Sequence, residues 1–179
     1  MKQVKIHDKE FELFIPYEKI RSVVEVLAER MNNDLDGKDP LFICILNGSF
    51  VFAAELYKRI NIIDSEITFV KLASYDGDKT TGTVKQLIGL NEEIKGRTVV
   101  VLEDIVDTGI TINNIMGQLI KLEPKEIKVA TLLLKPDALT MKVDLDYVGM
   151  EIPNDFIVGY GLDYDGRGRN LIDIYTVIK

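Results

Sequence analysis

The sequence VVVLEDIVDTGIT occupies residues 99–111 and decides the fold. Its apolar, β-branched run predicts a buried strand over residues 99–102, which stops at the carboxylates of Glu103 and Asp104. A third acid, Asp107, is followed by small and hydroxyl-bearing residues and then by an amphipathic stretch that predicts a helix. In open α/β sheets, ligands bind at the carboxyl ends of the strands, where helix N-termini offer free N–H groups to anions. The stretch therefore predicts a strand, a ligand-binding loop and a helix N-terminus in succession.

The residue types in this loop fit a phosphorylated sugar. Backbone N–H groups between Asp107 and Thr111, together with the hydroxyls of Thr108 and Thr111, can hold a phosphate. Glu103 and Asp104 would then face groups that donate hydrogen bonds or carry positive charge. Ribose hydroxyls and Mg²⁺ both qualify, because Mg²⁺ prefers oxygen ligands shared between carboxylates and substrate phosphates. A phosphorylated ribose that carries a diphosphate would satisfy the whole set.

Composition limits the class of protein. The 179 residues are 46% hydrophobic and 28% charged, which predicts a single globular domain over residues 1–179. The formal net charge of −7 argues against nonspecific nucleic-acid binding, which needs a basic surface. The single cysteine, Cys44, excludes an internal disulfide, and its apolar neighbours predict that it is buried. The sequence has neither a signal peptide nor an apolar run that could span a bilayer, so we expect a cytoplasmic protein.

Hydrophobic periodicity predicts strands that alternate with helices over the middle of the chain. Alternation within residues 4–15 predicts a hairpin or an edge strand, and helical spacing predicts a helix over residues 16–31. Further strands are expected over residues 41–46, 67–72, 84–88, 99–102, 127–134, 156–158 and 171–177, with helices over 51–60 and 112–122. The polar residues 74–83 predict a long loop. The alternation implies an α/β fold with a parallel sheet and right-handed crossovers.

Three segments resemble those of the type I phosphoribosyltransferases, and together they resemble the hypoxanthine-guanine branch of that family. They are the 99–111 stretch, LLLK at residues 132–135 and IPNDFIVGYGLDY at residues 152–164. The resemblance implies a central parallel sheet flanked by helices, with a small hood formed by the termini and the C-terminal segment. It also implies purine salvage, in which the 5-phosphoribosyl group of 5-phosphoribosyl-1-diphosphate (PRPP) is transferred to N9 of hypoxanthine, and of guanine as well. Mg²⁺ is the implied cofactor, and IMP or GMP and diphosphate are the implied products.

The resemblance implies a role for each residue that matches a family motif. Asp107 would bind PRPP and would act as the acid/base residue, which accepts or shares the N7 proton of the purine as N9 attacks the anomeric carbon. Glu103 and Asp104 would contact the ribose hydroxyls directly or through Mg²⁺. The other implied PRPP-binding residues are Leu46, Asn47, Gly48, Ser74, Tyr75, Thr108, Gly109, Ile110, Thr111 and Arg169. The Leu46–Asn47 peptide is expected to be cis, and Ser74 and Tyr75 would begin an active-site lid.

Four further residues are implied to bind the purine, namely Lys135, Phe156, Ile157 and Asp163. An ammonium group has donors only, so Lys135 would donate to the oxygen of a 6-oxopurine but could not accept from the 6-amino group of adenine. Phe156 would stack on the base, and Ile157 would offer backbone groups to its edge. Asp163 would present its carbonyl to the base and reach a second Mg²⁺, so the implied metal ligands are Glu103, Asp104 and Asp163.

Each assignment has a plainer alternative. Asp107 could simply cap the helix, and Glu103 and Asp104 could form a solvated acidic turn. Lys135 could lie in solvent at a strand end, and Phe156 could be a core aromatic. Two other functions also compete: a regulatory protein that keeps the PRPP fold but binds RNA, and a phospho-receiver domain, which also clusters acids at strand ends. For partners we expect small-molecule substrates and a homo-oligomer, either dimer or tetramer, without nucleic acid or membrane.

Overall fold

The computed structural model describes residues 2–75 and 84–178, which form ten strands and three α-helices in two sheets. The strands are β1 (Gln3–Ile6), β2 (Lys9–Ile15), β3 (Leu41–Leu46), β4 (Glu66–Tyr75), β5 (Val84–Ile88), β6 (Thr98–Val106), β7 (Glu126–Leu134), β8 (Tyr147–Glu151), β9 (Ile157–Val158) and β10 (Ile174–Val177). The α-helices are α1 (Tyr17–Asp34), α2 (Phe50–Tyr57) and α3 (Ile110–Leu119), and short 3-10 helices cover Ile120–Leu122 and Pro136–Ala138. None of the helices in these ranges is long and apolar enough to cross a membrane.

The large sheet has six strands in the order β5-β4-β3-β6-β7-β8. All neighbouring strands are parallel except β5, which runs antiparallel to β4. Alternate residues of β3 and β6 enter two hydrophobic clusters, one with Leu27 of α1 and Phe52 of α2, the other with Ile115 of α3. Burial on both faces explains why these strands are continuous apolar runs in the sequence, and Cys44 is fully buried among them. The predicted parallel sheet flanked by helices is confirmed.

The second sheet, which we call the hood, has four antiparallel strands in the order β1-β2-β10-β9. It joins the N-terminal hairpin to the C-terminal strand, as the resemblance implied. Asp173 links the hood to α1, because its Oδ1 accepts a 2.8 Å hydrogen bond from the N–H of Tyr17, the first residue of that helix. Pro16, the N-cap residue of α1, makes no side-chain capping bond, so Asp173 satisfies a donor at this helix N-terminus from the far end of the chain.

Strand β6 differs from its prediction in one respect that matters for the site. The predicted end at residue 102 is wrong, since the strand continues to Val106. Parallel pairing with β7 persists beyond Leu102, through Glu103 opposite Thr131 and Val106 opposite Leu134. Strand pairing satisfies backbone groups whatever the side chains are, so hydrophobic pattern alone does not mark where such a strand ends. The two acids therefore lie inside the strand and not in a turn after it.

Other boundaries differ by a few residues, and one strand was not predicted. β4 extends through Ser74 and Tyr75, which pair with Lys85 and Val84 of β5, so these two residues belong to a strand and not to the predicted loop. Residues 76–83, the rest of that loop, lie outside the described residues. Helix α2 ends at Tyr57, before the predicted residue 60. Strand β8 was missed because its residues are largely only half-buried, so its sequence lacks a continuous apolar run.

Candidate active site

Three loops meet at the carboxyl ends of β3 and β6. They are residues 47–49 between β3 and α2, residues 107–109 between β6 and α3, and residues 159–169 after β9. A Cβ atom on Gly48 would overlap the carboxylate of Asp104, and one on Gly161 would overlap the carbonyl oxygen of Gly48. Glycine at both positions therefore allows the 47–49 loop to pack against Asp104 of β6 and against the 159–169 loop. Gly161 also has a φ of +99°, a conformation that L-residues rarely adopt.

Glu103 and Asp104 form a buried pair of carboxylates, with only 7% and 8% of their surfaces exposed. Burial raises the pKa of Glu103 well above its usual range, and the charge of Asp104 raises it further. Burial also raises the pKa of Asp104, although hydrogen bonds and the charge of Arg169 oppose that shift. Oε2 of Glu103 has no hydrogen-bond partner within the described part of the chain. The solvated acidic turn is thus wrong, and the pair has unused capacity to accept a cation or hydrogen-bond donors.

The loop after β6 prepares the N-terminus of α3 for an anion. Gly109 is the N-cap residue of α3 and has a φ of +82°. A Cβ atom there would lie 2.9 Å from Cγ1 of Val143, so both conformation and space favour glycine. The carboxylate of Asp107 accepts a hydrogen bond from the Thr108 N–H and does not cap α3. Asp107, Ile110 and Thr111 are exposed, whereas Ile112 is buried, and the Ile110 N–H donates 3.4 Å to the Thr108 hydroxyl. The N-cap residue makes no side-chain capping bond to α3, so this exposed helix end can accept an anion.

Ser49 supports the loop after β3 through buried contacts of its side chain. The Leu46–Asn47 peptide is cis, which confirms the geometry that the resemblance implied. The Ser49 hydroxyl is fully buried, donates to the Ile45 carbonyl and lies 3.3 Å from Sγ of Cys44. Burial raises the pKa of the Cys44 thiol to about 11, so this cysteine stays protonated near neutral pH. The sequence analysis missed the supporting role of Ser49. The one signal in the sequence is a small hydroxyl-bearing residue next to a glycine.

Arg169 supplies positive charge beside the acid pair. Its guanidinium forms a 2.7 Å ion pair with Oδ1 of Asp163 and donates a 2.7 Å hydrogen bond to the Gly161 carbonyl. Asp163 also accepts a 2.7 Å bond from the Gly166 N–H. Because Gly161 touches Gly48, these bonds connect Arg169 to the loop that packs on Asp104. The neighbouring Arg167 is exposed and pairs through its backbone with Tyr164.

Lys135 directly follows β7 and lies beside the 107–109 loop. Only 9% of its surface is exposed, so the interpretation as a solvated strand-end lysine is wrong. Its N–H donates 2.9 Å to the Val106 carbonyl, and the Thr140 N–H donates 3.1 Å to the Thr108 carbonyl. These two bonds fasten the segment from Lys135 to Thr140 against the loop that carries Asp107.

Phe156 precedes β9 in the hood and keeps 42% of its surface exposed, so it is not a core aromatic. The ring packs against two other aromatics: its centroid lies 5.7 Å from that of Tyr164 and 6.2 Å from that of Phe11. The next residue, Ile157, is buried and pairs with Thr176 in β10. The Phe156 ring therefore has fixed aromatic neighbours and still keeps a large part of its surface exposed.

The structure brings most of the predicted residues together but not all of them. The acid pair, the 47–49 loop, the 107–111 loop and Lys135 share the same edge of the large sheet, and Arg169 and Asp163 reach it from the hood side. No group of three His, Cys, Asp or Glu side chains within residues 2–75 and 84–178 could enclose a metal ion. Asp163 thus does not join Glu103 and Asp104 in one cluster. Ser74 and Tyr75 lie in β4, and the predicted lid falls on residues outside the description.

Comparison with known proteins agrees with this geometry. Residues 16–165 match the family model of the phosphoribosyl transferase domain. The hypoxanthine-guanine phosphoribosyltransferase of Mycobacterium tuberculosis (strain ATCC 25618 / H37Rv) is 38% identical over 167 residues, which cover 89% of this chain and 82% of the relative. The enzyme of the same name from Streptococcus pneumoniae (strain ATCC BAA-255 / R6) is 37% identical over 160 residues, which cover 89% of this chain and 88% of that relative.

Solved structures give the same result. A crystal structure of a hypoxanthine-guanine phosphoribosyltransferase from Bacillus anthracis superposes with a TM-score of 0.82 at 36% identity, covering 93% of this chain and 96% of that one. The hypoxanthine phosphoribosyltransferase of Trypanosoma cruzi, in complex with the product IMP, superposes with a TM-score of 0.83 at 31% identity. The superposition covers 98% of this chain and 97% of that one.

Proposed function

The chain belongs to the phosphoribosyltransferase family, and from this premise we propose that it transfers the 5-phosphoribosyl group of PRPP to N9 of hypoxanthine and guanine. The products are IMP or GMP and diphosphate, so the reaction salvages free purine bases. One observation carries the proposal. A buried pair of carboxylates with unused acceptor capacity lies next to an open helix N-terminus, which suits a sugar diol linked to a phosphate.

We assign the PRPP contacts on that basis. The carboxylates of Glu103 and Asp104 accept hydrogen bonds from the ribose hydroxyls. The 5′-phosphate lies on the backbone N–H groups and hydroxyls of the loop and first helical turn, formed by Thr108, Gly109, Ile110 and Thr111. The diphosphate is held by the backbone of Leu46, Asn47 and Gly48 and by the guanidinium of Arg169. Asn at position 47 contributes no charge, whereas the guanidinium of Arg169 supplies positive charge at this end of the substrate.

Mg²⁺ fits the acid pair. Oε2 of Glu103 is buried without a partner, and two adjacent carboxylates with no third ligand suit an ion that substrate oxygens help to coordinate. The bound ion would neutralise charge on the diphosphate leaving group. We propose Asp163, whose carboxylate now pairs with Arg169, as the residue that reaches a second ion on the diphosphate.

We propose Asp107 as the acid/base residue. It follows β6 directly, is exposed toward solvent, and lies beside the segment that begins at Lys135. As N9 of the base bonds to the anomeric carbon, the bond to the diphosphate oxygen breaks and the leaving group departs with the electron pair. Asp107 accepts or shares the N7 proton and so prevents positive charge from building up on the purine. The remaining residues mainly orient the two substrates.

Replacing Lys135 with Met is expected to weaken the choice between oxo- and aminopurines. The change keeps most of the side chain's volume but removes the donor to the 6-oxygen, so kcat/KM for hypoxanthine should fall roughly 10- to 100-fold. Inhibition of the hypoxanthine reaction by adenine should change much less, because adenine does not use that donor. Steady-state kinetics with hypoxanthine, in the absence and presence of adenine, measure both effects. Lys142→Met, at a lysine whose side chain is 89% exposed, is the matched control. An unchanged kcat/KM for hypoxanthine in Lys135→Met would contradict the proposed contact.

A spectrophotometric assay with PRPP and Mg²⁺ tests the proposed activity itself. Hypoxanthine, guanine, xanthine and adenine are offered separately, and nucleotide formation is followed by the absorbance change of the base. Hypoxanthine and guanine should react and adenine should not. Activity with adenine alone, or with none of the four bases, would contradict the proposal. A gel-shift titration with RNA, run in parallel, tests the regulatory alternative.

Three expectations stay predictions: a homo-oligomer, a cytoplasmic location, and one domain over residues 1–179. The single-domain prediction is supported by the site itself, which takes residues from the large sheet and from the hood segment. It is also supported by the bond between Asp173 and Tyr17, which joins the two ends of the chain.

A further inference from the structure

Lys9 lies outside the three segments that resemble the family motifs. It is the first residue of β2, in the hairpin of the hood, and it is half-buried. Its Nζ atom is 5.2 Å from the ring centroid of Phe156 and 4.7 Å from that of Tyr164. Both distances fall within the range of attractive cation–π contacts. One ammonium group thus contacts two aromatic rings that come from the other end of the chain.

The same hairpin holds Tyr164 in other ways. The Tyr164 hydroxyl donates a 2.7 Å hydrogen bond to Oδ1 of Asp8, and the His7 ring packs edge-on against the Tyr164 ring at 5.8 Å between centroids. Phe11, which is fully buried, anchors both rings from β2, at 6.2 Å from Phe156 and 6.1 Å from Tyr164. The hairpin therefore contacts both rings through several side chains.

The position of these two rings affects two proposed contacts with the purine. Phe156 is the proposed stacking surface, and Tyr164 directly follows Asp163, whose carbonyl is proposed to face the base. A half-exposed aromatic side chain loses rotational freedom when a ligand stacks on it, which weakens binding. A contact that holds the ring in place before the base arrives reduces that loss.

We propose that Lys9 is a positioning residue for purine binding, which holds the Phe156 ring and the Asp163–Tyr164 segment in the arrangement that receives the base. This inference rests on the proposed function, because it takes Phe156 as the surface that carries the purine. Lys9 does not touch the reacting atoms. Its effect should therefore fall on the affinity for the base and leave the chemical step and PRPP binding unchanged.

Lys9→Met tests the proposal, because methionine keeps an unbranched side chain and removes the charge. The KM for hypoxanthine should rise about threefold to tenfold, while kcat and the KM for PRPP stay within about twofold of wild type. Lys9→Arg should return the KM for hypoxanthine to within about twofold, since a guanidinium also stacks on aromatic rings. Lys5→Met on the neighbouring strand β1, at an exposed lysine, is the matched control and should change nothing.

Two results would overturn the role of Lys9. One is an unchanged KM for hypoxanthine in Lys9→Met. The other is a parallel change in kcat and in both KM values that Lys9→Arg does not rescue, which would indicate a structural role only. Phe156→Leu separates this failure from that of the proposed function. If Phe156→Leu raises the purine KM and Lys9→Met does not, the role of Lys9 is wrong and the function stands. If the wild type forms no nucleotide, or if Phe156→Leu leaves the purine KM unchanged, both the premise that the purine stacks on Phe156 and the role of Lys9 are wrong.

Discussion

Asp107→Asn is expected to lower kcat by roughly 10²- to 10⁴-fold while the KM for PRPP changes by less than about fivefold. Asparagine has nearly the same shape and can still accept the hydrogen bond from the Thr108 N–H, so the loop should keep its conformation. It cannot take up the N7 proton of the purine, however. Because Asp107 is exposed and does not cap α3, the change should have little effect on the free energy of unfolding.

Steady-state kinetics with hypoxanthine and PRPP, together with thermal unfolding, measure both parts of this expectation. Asp137→Asn is the matched control, since Asp137 is an exposed acid in the nearby 3-10 helix and has no proposed role. Its kcat should stay within about twofold of wild type. A kcat for Asp107→Asn within tenfold of wild type would show that another group handles the proton.

Gly48→Ala is expected to abolish measurable binding of PRPP, a loss of about 100-fold or more in affinity. The added Cβ atom would overlap the carboxylate of Asp104, so either the carboxylate or the 47–49 loop must move. Either movement removes one partner of the acid pair or displaces the backbone that is proposed to hold the diphosphate. A single methyl group should thus have the effect of a large substitution.

Gly117→Ala gives a close control for this effect. Gly117 lies in α3 with nothing within 4 Å of where a Cβ atom would be. Alanine there should leave PRPP affinity unchanged and stabilise the fold by about 0.5–1 kcal/mol, because glycine is unfavourable inside helices. Calorimetric titration with PRPP and Mg²⁺ compares the two variants, and thermal unfolding establishes that Gly48→Ala is folded. Wild-type affinity in a folded Gly48→Ala protein would contradict the packing of this loop on Asp104.

Short apolar runs and matched motifs were enough to predict much of the fold. Strands β3 and β5 have the predicted bounds. β3 is a continuous apolar run, whereas β5 (VKQLI) is a mixed segment that lies between the polar loop and Gly89. The hairpin that forms β1 and β2 and the position of α1 also follow from periodicity, although α1 continues three residues past the predicted end at residue 31. The end of β6 does not follow from it, since Glu103 and Asp104 stay in the strand through pairing with β7, which sequence pattern does not reveal.

The parts of the site that could not be predicted depend on contacts between distant segments. The acids of Glu103 and Asp104 were expected at a strand end, but their burial results from the packing of Gly48 and the layers around it. The closeness of Gly161 to Gly48 joins segments more than a hundred residues apart, which no local rule anticipates. Lys9 is similar, because a lysine at the start of an edge hairpin usually lies in solvent and here covers two rings.

Calorimetric titration of PRPP in the presence of Mg²⁺ into the wild type and into the Glu103→Gln/Asp104→Asn variant tests the role of the acid pair most directly. The two substitutions keep the size of each side chain and remove its charge, and their amides should fit the buried site without loss of the fold. We expect saturable binding of one PRPP per wild-type chain and no measurable binding to the variant. Equal affinities for the two proteins, or the absence of any heat with the wild type, would contradict the account.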